Sequence, residues 1–103
     1  MRIVLSAYVE GDLDEIAAYI AVDNPSRAVS FIDEITGRFQ KIGDTPRAYR
    51  LRPEIRPDVR LAAHGHYVIL FRIMDETLRI ERVVHGSRSL VGLFSSETYK
   101  GGA

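Results

Sequence analysis

From residue 59 onward the apolar positions fall in short runs. Val59 to Ala63, Tyr67 to Met74 and Leu78 to His85 are rich in β-branched, aromatic and leucine residues and are separated by His64-Gly65-His66 and Asp75-Glu76. This pattern predicts a three-stranded meander with tight turns. Tyr67-Val68-Ile69-Leu70-Phe71 is apolar without a break, as expected of a central strand covered on both faces. Upstream the period is helical. Ser6 is placed as an N-cap, followed by Val9, Leu13, Ile16, Ala17 and Ile20 on one stripe with Asp12, Asp14 and Glu15 between them. Asn24-Pro25 ends this helix and starts a second, because Asn caps and Pro is tolerated where the amide has no helical partner. In that second helix Ala28, Phe31, Ile32, Ile35, Phe39 and Ile42 share a face, and Gly43 stands where a left-handed C-terminal cap is expected. The short link between the helices predicts an antiparallel hairpin.

Arg2 to Leu5 is a further strand, whose place in the sheet the pattern leaves open. The expected fold class is α+β: N-terminal strand, helical hairpin, then the meander. Pro46, Pro53 and Pro57 make residues 44–57 a connector bearing Arg47, Arg50, Arg52 and Arg56. The hairpin covers one sheet face only. Leu90, Val91, Leu93 and Phe94 are the expected cover for the other, unless a partner protein supplies it. Residues 1–94 read as one domain and residues 95–103 as a flexible tail.

The chain has 103 residues and no cysteine, which excludes disulfides and thiolate metal sites and fits a reducing cytoplasm. The N-terminus lacks the pattern of an export signal, and no apolar run approaches a membrane span. Net charge is zero, but residues 1–37 hold two arginines against seven carboxylates, whereas residues 38–95 hold eleven bases against six acids. Twelve of the fourteen bases are arginine, which makes the planar two-pronged contacts that lysine does not. Acidic helices therefore precede a basic sheet.

Several residues carry chemistry worth weighing. His85, in His85-Gly86-Ser87-Arg88, titrates near neutrality and is a weak acid–base candidate beside Arg88; a histidine at a strand end more often hydrogen-bonds the backbone. His64 and His66 lack a third ligand nearby, so no metal or other cofactor is expected. Arg72 and Arg82, within strands, either pair with carboxylates of the chain or receive acidic groups from a partner.

The order of these elements, with Asp12-Leu13 and Ile16, Asn24-Pro25 with Ala28 and Phe31, Tyr67 through Arg72, and Ile80 through Arg88, resembles the RelE/ParE superfamily of toxins from type II toxin–antitoxin systems, nearest its ParE branch. The similarity runs over about residues 1–94. It implies one of two activities. RelE-like members cleave messenger RNA on the ribosome with basic residues and a tyrosine; ParE-like members block DNA gyrase. Against the nuclease pattern, an expected arginine falls on Val68 and the late tyrosine on Phe94, leaving Arg88 alone. Metal-free phosphodiester cleavage needs groups to take and give protons, which valine and phenylalanine cannot provide. The resemblance therefore favours gyrase inhibition by protein binding over a ribosome-dependent ribonuclease. It further implies a ParD-like antitoxin with a ribbon-helix-helix head, contact with DNA only through that antitoxin, and no membrane partner. Residues expected to carry toxicity or partner binding are Arg72, Arg82, Arg88, Leu90, Leu93 and Phe94. An antitoxin helix is expected in a groove formed by Leu13, Ile16, Ile20, Phe31, Ile35 and Phe39.

Overall fold

A computed structural model of the chain describes residues 1–94; the expected tail at residues 95–103 lies outside the described residues. Seven elements follow in order: β1 (Arg2–Leu5), α1 (Val9–Ala21), α2 (Pro25–Asp44), a 3-10 turn (Pro46–Ala48), β2 (Arg60–His64), β3 (Tyr67–Met74) and β4 (Thr77–His85). The class is α+β, as expected. The sheet has four strands in the order β1-β4-β3-β2, so the meander is extended at its β4 edge by β1, which runs parallel to β4 with Arg2 opposite Thr77 and Leu5 opposite Ile80. Parallel pairing requires a long connection, which the helical hairpin, the connector and the first two strands of the meander supply together.

Asn24 Oδ1 accepts from the Arg27 amide at 3.0 Å and Pro25 opens α2, as read from sequence. Two expectations change. Ser6 is not the N-cap of α1, since the helix begins at Val9 with Tyr8 in the capping position and no side-chain cap. Ser6 instead joins two elements: its amide continues the ladder to Ile80 O, its hydroxyl donates to Glu81 O at 2.6 Å, and the same oxygen accepts from the Tyr8 amide. Gly43 is not a left-handed cap either. It lies inside α2, where a Cβ would stand 2.8 Å from Ile3 Cδ1, so a larger residue would have to displace the tip of the Ile3 side chain. Among the described residues the left-handed glycine is Gly65, φ +58°, in the two-residue turn between β2 and β3.

Two apolar clusters flank the sheet. Toward the helices, Val9, Ile16, Phe31, Ile35, Phe39 and Ile42 meet Ile69, Phe71, Leu78, Ile80 and Val83. Fully burying a side chain of this kind contributes about 1.5–3 kcal/mol. On the opposite face Val68, Leu70 and Val84 are covered by Leu93 and Phe94, as expected, with Leu90 packed beside them. Val91 takes no part and is exposed. The connector supplies the remainder of this cover through Ile55 and Val59.

Strand β4 changes phase midway. Leu70 pairs with Arg82 but Phe71 pairs with Ile80, so Glu81 is an extra residue on β4 and forms a β-bulge. Before the bulge Leu78 and Ile80 face the helices; after it Val83 does.

Candidate functional site

The bulge sends two adjacent charged side chains to different elements. Glu81 is buried and accepts from Arg72 Nε at 2.6 Å and Arg79 Nε at 3.0 Å, while Arg72 also reaches Asp58 at 3.1 Å. Burial works against the Arg72 charge, but hydrogen bonding and attraction from Glu81 and Asp58 prevail and raise its pKa above the ordinary value. Arg82 makes a two-pronged contact with Asp12 on α1, both bonds 2.8 Å. Asp12 Oδ2 also accepts from the Val83 amide at 3.0 Å. Beyond Leu5, β1 no longer accompanies β4, so Asp12 and Ser6 satisfy backbone groups that a longer strand would have paired. Of the two readings open for Arg72 and Arg82, pairing within the chain is the one the geometry provides.

Arg88 is exposed and has no ion-pair partner among the described residues. It follows a turn in which its amide donates to His85 O at 3.0 Å. His85 Nδ1 accepts from the Ser87 amide at 3.1 Å and lies 2.8 Å from Ser87 Oγ. Leu93 and Phe94 are buried against the sheet, and the Arg56 guanidinium stands 5.6 Å from the Phe94 ring centre. The candidates at this end thus divide: Arg88 faces outward, Leu90 is half-buried, and Leu93 and Phe94 form the lid. The remaining two nuclease positions are core as well, since Val68 and Phe94 share one cluster.

The six positions assigned to a groove require correction. Ile16, Phe31, Ile35 and Phe39 point into the core, at most 7% exposed, and Leu13 and Ile20 pack against it. The strongest apolar stripe of an amphipathic hairpin is consumed by its own sheet. The groove that does exist is on the outer side, about 480 Å³, lined by Ala17, Ala18, Ala21, Pro25, Val29 and Ile32. Its signal in the sequence was weak but present: small residues on α1 beside Val29, which is 66% exposed.

A second cleft, of about 300 Å³, opens where β1 stops, between α1 and the last residues of β4. Asp12, Glu15, Tyr19, Tyr67, His85 and Arg88 line it with Ile16, Val83 and Val84. Sequence reasoning missed Glu15, Tyr19 and Tyr67, because only the crossing of α1 over β4 brings them together. Burial, and to a lesser degree Tyr19, raises the Tyr67 phenol pKa. No group of acidic residues, histidines or cysteines among the described residues is arranged to hold a metal ion, and no helix is long and apolar enough to cross a membrane.

Comparison with known proteins decides the family. The profile of the ParE toxin of type II toxin-antitoxin system, parDE, matches residues 3–90. The chain belongs to the ParE toxin family. Toxin ParE3 of Caulobacter vibrioides is 26% identical over 98 residues, covering 94% of this chain and 98% of the relative. The fold is also that of a chain in the chromosomal ParDE TA system from P. aeruginosa, with a TM-score of 0.70, 20% identity, and 82% of this chain against 95% of that one. The isolated E. coli RelE toxin matches with a TM-score of 0.60 at 12% identity, covering 96% of each chain. The ParE family and the RelE fold therefore meet in one architecture, and this chain lies in the former by sequence.

Proposed function

We propose that this ParE-family toxin acts by binding DNA gyrase rather than by cleaving RNA, and that a ParD-like antitoxin silences it in the cytoplasm. One observation carries the choice between the two activities. The positions where a ribonuclease of this fold would place a cation and a phenol are Val68 and Phe94, both buried in an apolar cluster, and neither exchanges a proton. Arg88 alone stabilises charge without completing an acid–base pair. Binding at this end would use Arg88, Leu90 and the surface that Leu93 and Phe94 hold up; Arg72 and Arg82 contribute by fixing β4.

The outer groove on the helical hairpin supports the antitoxin reading. It is apolar and shallow, with Asp33 as its one charged lining residue, so the apolar face of an amphipathic helix fits it. The basic sheet provides the opposite charge for register and speed of association. Purified toxin is expected to abolish supercoiling by gyrase while leaving messenger RNA intact on translating ribosomes, and Arg88→Ala is expected to weaken inhibition at least tenfold. Message cleavage that disappears with Arg88→Ala would instead establish the ribonuclease.

A further inference from the structure

The cleft between α1 and the end of β4 shares Arg88 alone with the residues proposed to meet gyrase and none with the antitoxin groove. Its volume, about 300 Å³, is at the small end of ligand sites, the scale of one nucleotide unit. Its lining has three parts. Tyr67 is a half-buried ring wedged among Phe31 at 5.3 Å and His85 at 5.3 Å, whereas Tyr19 is an aromatic ring 74% exposed at the edge of the cleft. Glu15 and Arg88 line the same cleft but do not pair with each other, and neither has another ion-pair partner among the described residues. His85 Nδ1 accepts a backbone amide, so the neutral ring carries its proton on Nε2 and is a donor there.

We infer that this cleft binds a guanine nucleotide, with the base against Tyr19 and Tyr67, its amide edge on Glu15, and its phosphate on Arg88 and His85. Guanine presents N1–H and N2–H side by side, two donors that match a carboxylate, and the charge strengthens both bonds. Adenine and cytosine place a ring acceptor beside their amino group, which a carboxylate repels. Bases stack on tyrosine in single-strand recognition, so an exposed Tyr19 acquires a function. Arg88 and a donor from His85 form the anion end.

The test uses the full chain without gyrase, so its outcome is independent of which macromolecule is poisoned. Purified protein is titrated with GMP, AMP and inorganic phosphate, following tyrosine fluorescence and ligand line widths by NMR. GMP is expected to saturate and to bind at least tenfold more tightly than AMP or phosphate. Glu15→Gln should erase the preference for guanine, and Tyr19→Ala should weaken GMP at least tenfold. Both residues are exposed, and circular dichroism checks that the variants fold; Arg88→Gln provides a second disruption at the phosphate end. A guanine-containing single-stranded tetranucleotide binding more tightly than GMP would identify a strand as the source, and equal binding a free nucleotide. GMP indistinguishable from AMP or phosphate, or variants that bind as the parent does, would overturn the assignment.

Discussion

Two continuous helices cover one face of the sheet with side chains at regular intervals, from Val9 and Ile16 to Phe39 and Ile42, whereas the other face is covered by Ile55 and Val59 of an irregular connector and by Leu93 and Phe94 at the end of the described chain. The helical face is closed by backbone that cannot retreat without unwinding. The opposite face is closed by segments with few backbone bonds, and it carries the end of the molecule assigned to toxicity. On the proposed function, stability and action are built on different sides of one sheet. Phe39 and Phe94 test this directly, being 3% and 2% exposed. Phe39→Ala is expected to cost about 3–5 kcal/mol in chemical denaturation, and Phe94→Ala less, about 2 kcal/mol, because its segment can close over the gap. Equal losses would mean the two covers are equally rigid.

The same contrast holds for the charged pairs. Asp12 links the helical side to β4 through Arg82 and the Val83 amide, and both side chains of the ion pair are about a tenth exposed. Asp12→Ala leaves a largely desolvated guanidinium and an unpaired amide, an expected loss of about 3 kcal/mol. Arg79 lies on the other face and is 35% exposed, with Arg72 remaining to hold Glu81. Arg79→Ala is therefore expected to cost about 1 kcal/mol or less. Urea midpoints for the two variants would rank them, and a reversal would show that Glu81, not Asp12, organises β4.

What the sequence made legible follows the same division. Strands and helices were readable because each writes its period in apolar residues, and Asn24-Pro25 marks a helix start by local chemistry alone. The bulge at Glu81 was also written, as Leu78, Ile80 and then Val83 in place of strict alternation, but a single slipped position is easily absorbed into a fully apolar strand. The place of β1 was not legible, because parallel pairing depends on the crossover and not on its own four residues. Gly43 misled for a related reason: what it meets is Ile3, a contact forty residues away. The groove was misassigned because a strong apolar stripe signals burial in the protein's own core before it signals a partner. Arg88 was legible since it follows a turn; its neighbours Tyr19 and Glu15 were not, since they are near it only after α1 packs on β4.

Ionisation offers a finer probe of the helical side. Tyr67 opens β3 there, and burial raises its phenol pKa above 10.0. A group with a raised pKa in the folded state holds its proton more tightly than in the unfolded chain. Its contribution is complete below about pH 10 and is lost as pH rises through the folded value. Phenolate absorbance is expected to give one late-titrating tyrosine that disappears in Tyr67→Phe. If every tyrosine ionises together, the cleft beside Tyr67 is more open than its packing against Phe31 and His85 implies.

The smallest expected effect lies at the rim where α2 meets the sheet edge. Glu34 accepts from Arg27 on its own helix and lies 3.3 Å from His64 Nε2 on β2. Hydrogen bonding from Arg27, and then from His64, holds its pKa below 4.5. A lowered carboxylate stabilises the fold above its ordinary pKa and loses that contribution as pH falls through the folded value. Because the group is exposed, solvent screens the pair, and Arg27→Ala should leave the denaturation midpoint nearly unchanged. The Glu34 side-chain resonance should nevertheless titrate below the ordinary carboxylate range and return toward 4.5 in Arg27→Ala. A Glu34 that titrates normally in the parent protein would mean that α2 and β2 are joined at this edge by the Arg38 guanidinium donating to Ala63 O at 3.2 Å and by the Phe31 and His64 rings, 5.6 Å apart, without help from the Glu34–His64 pair.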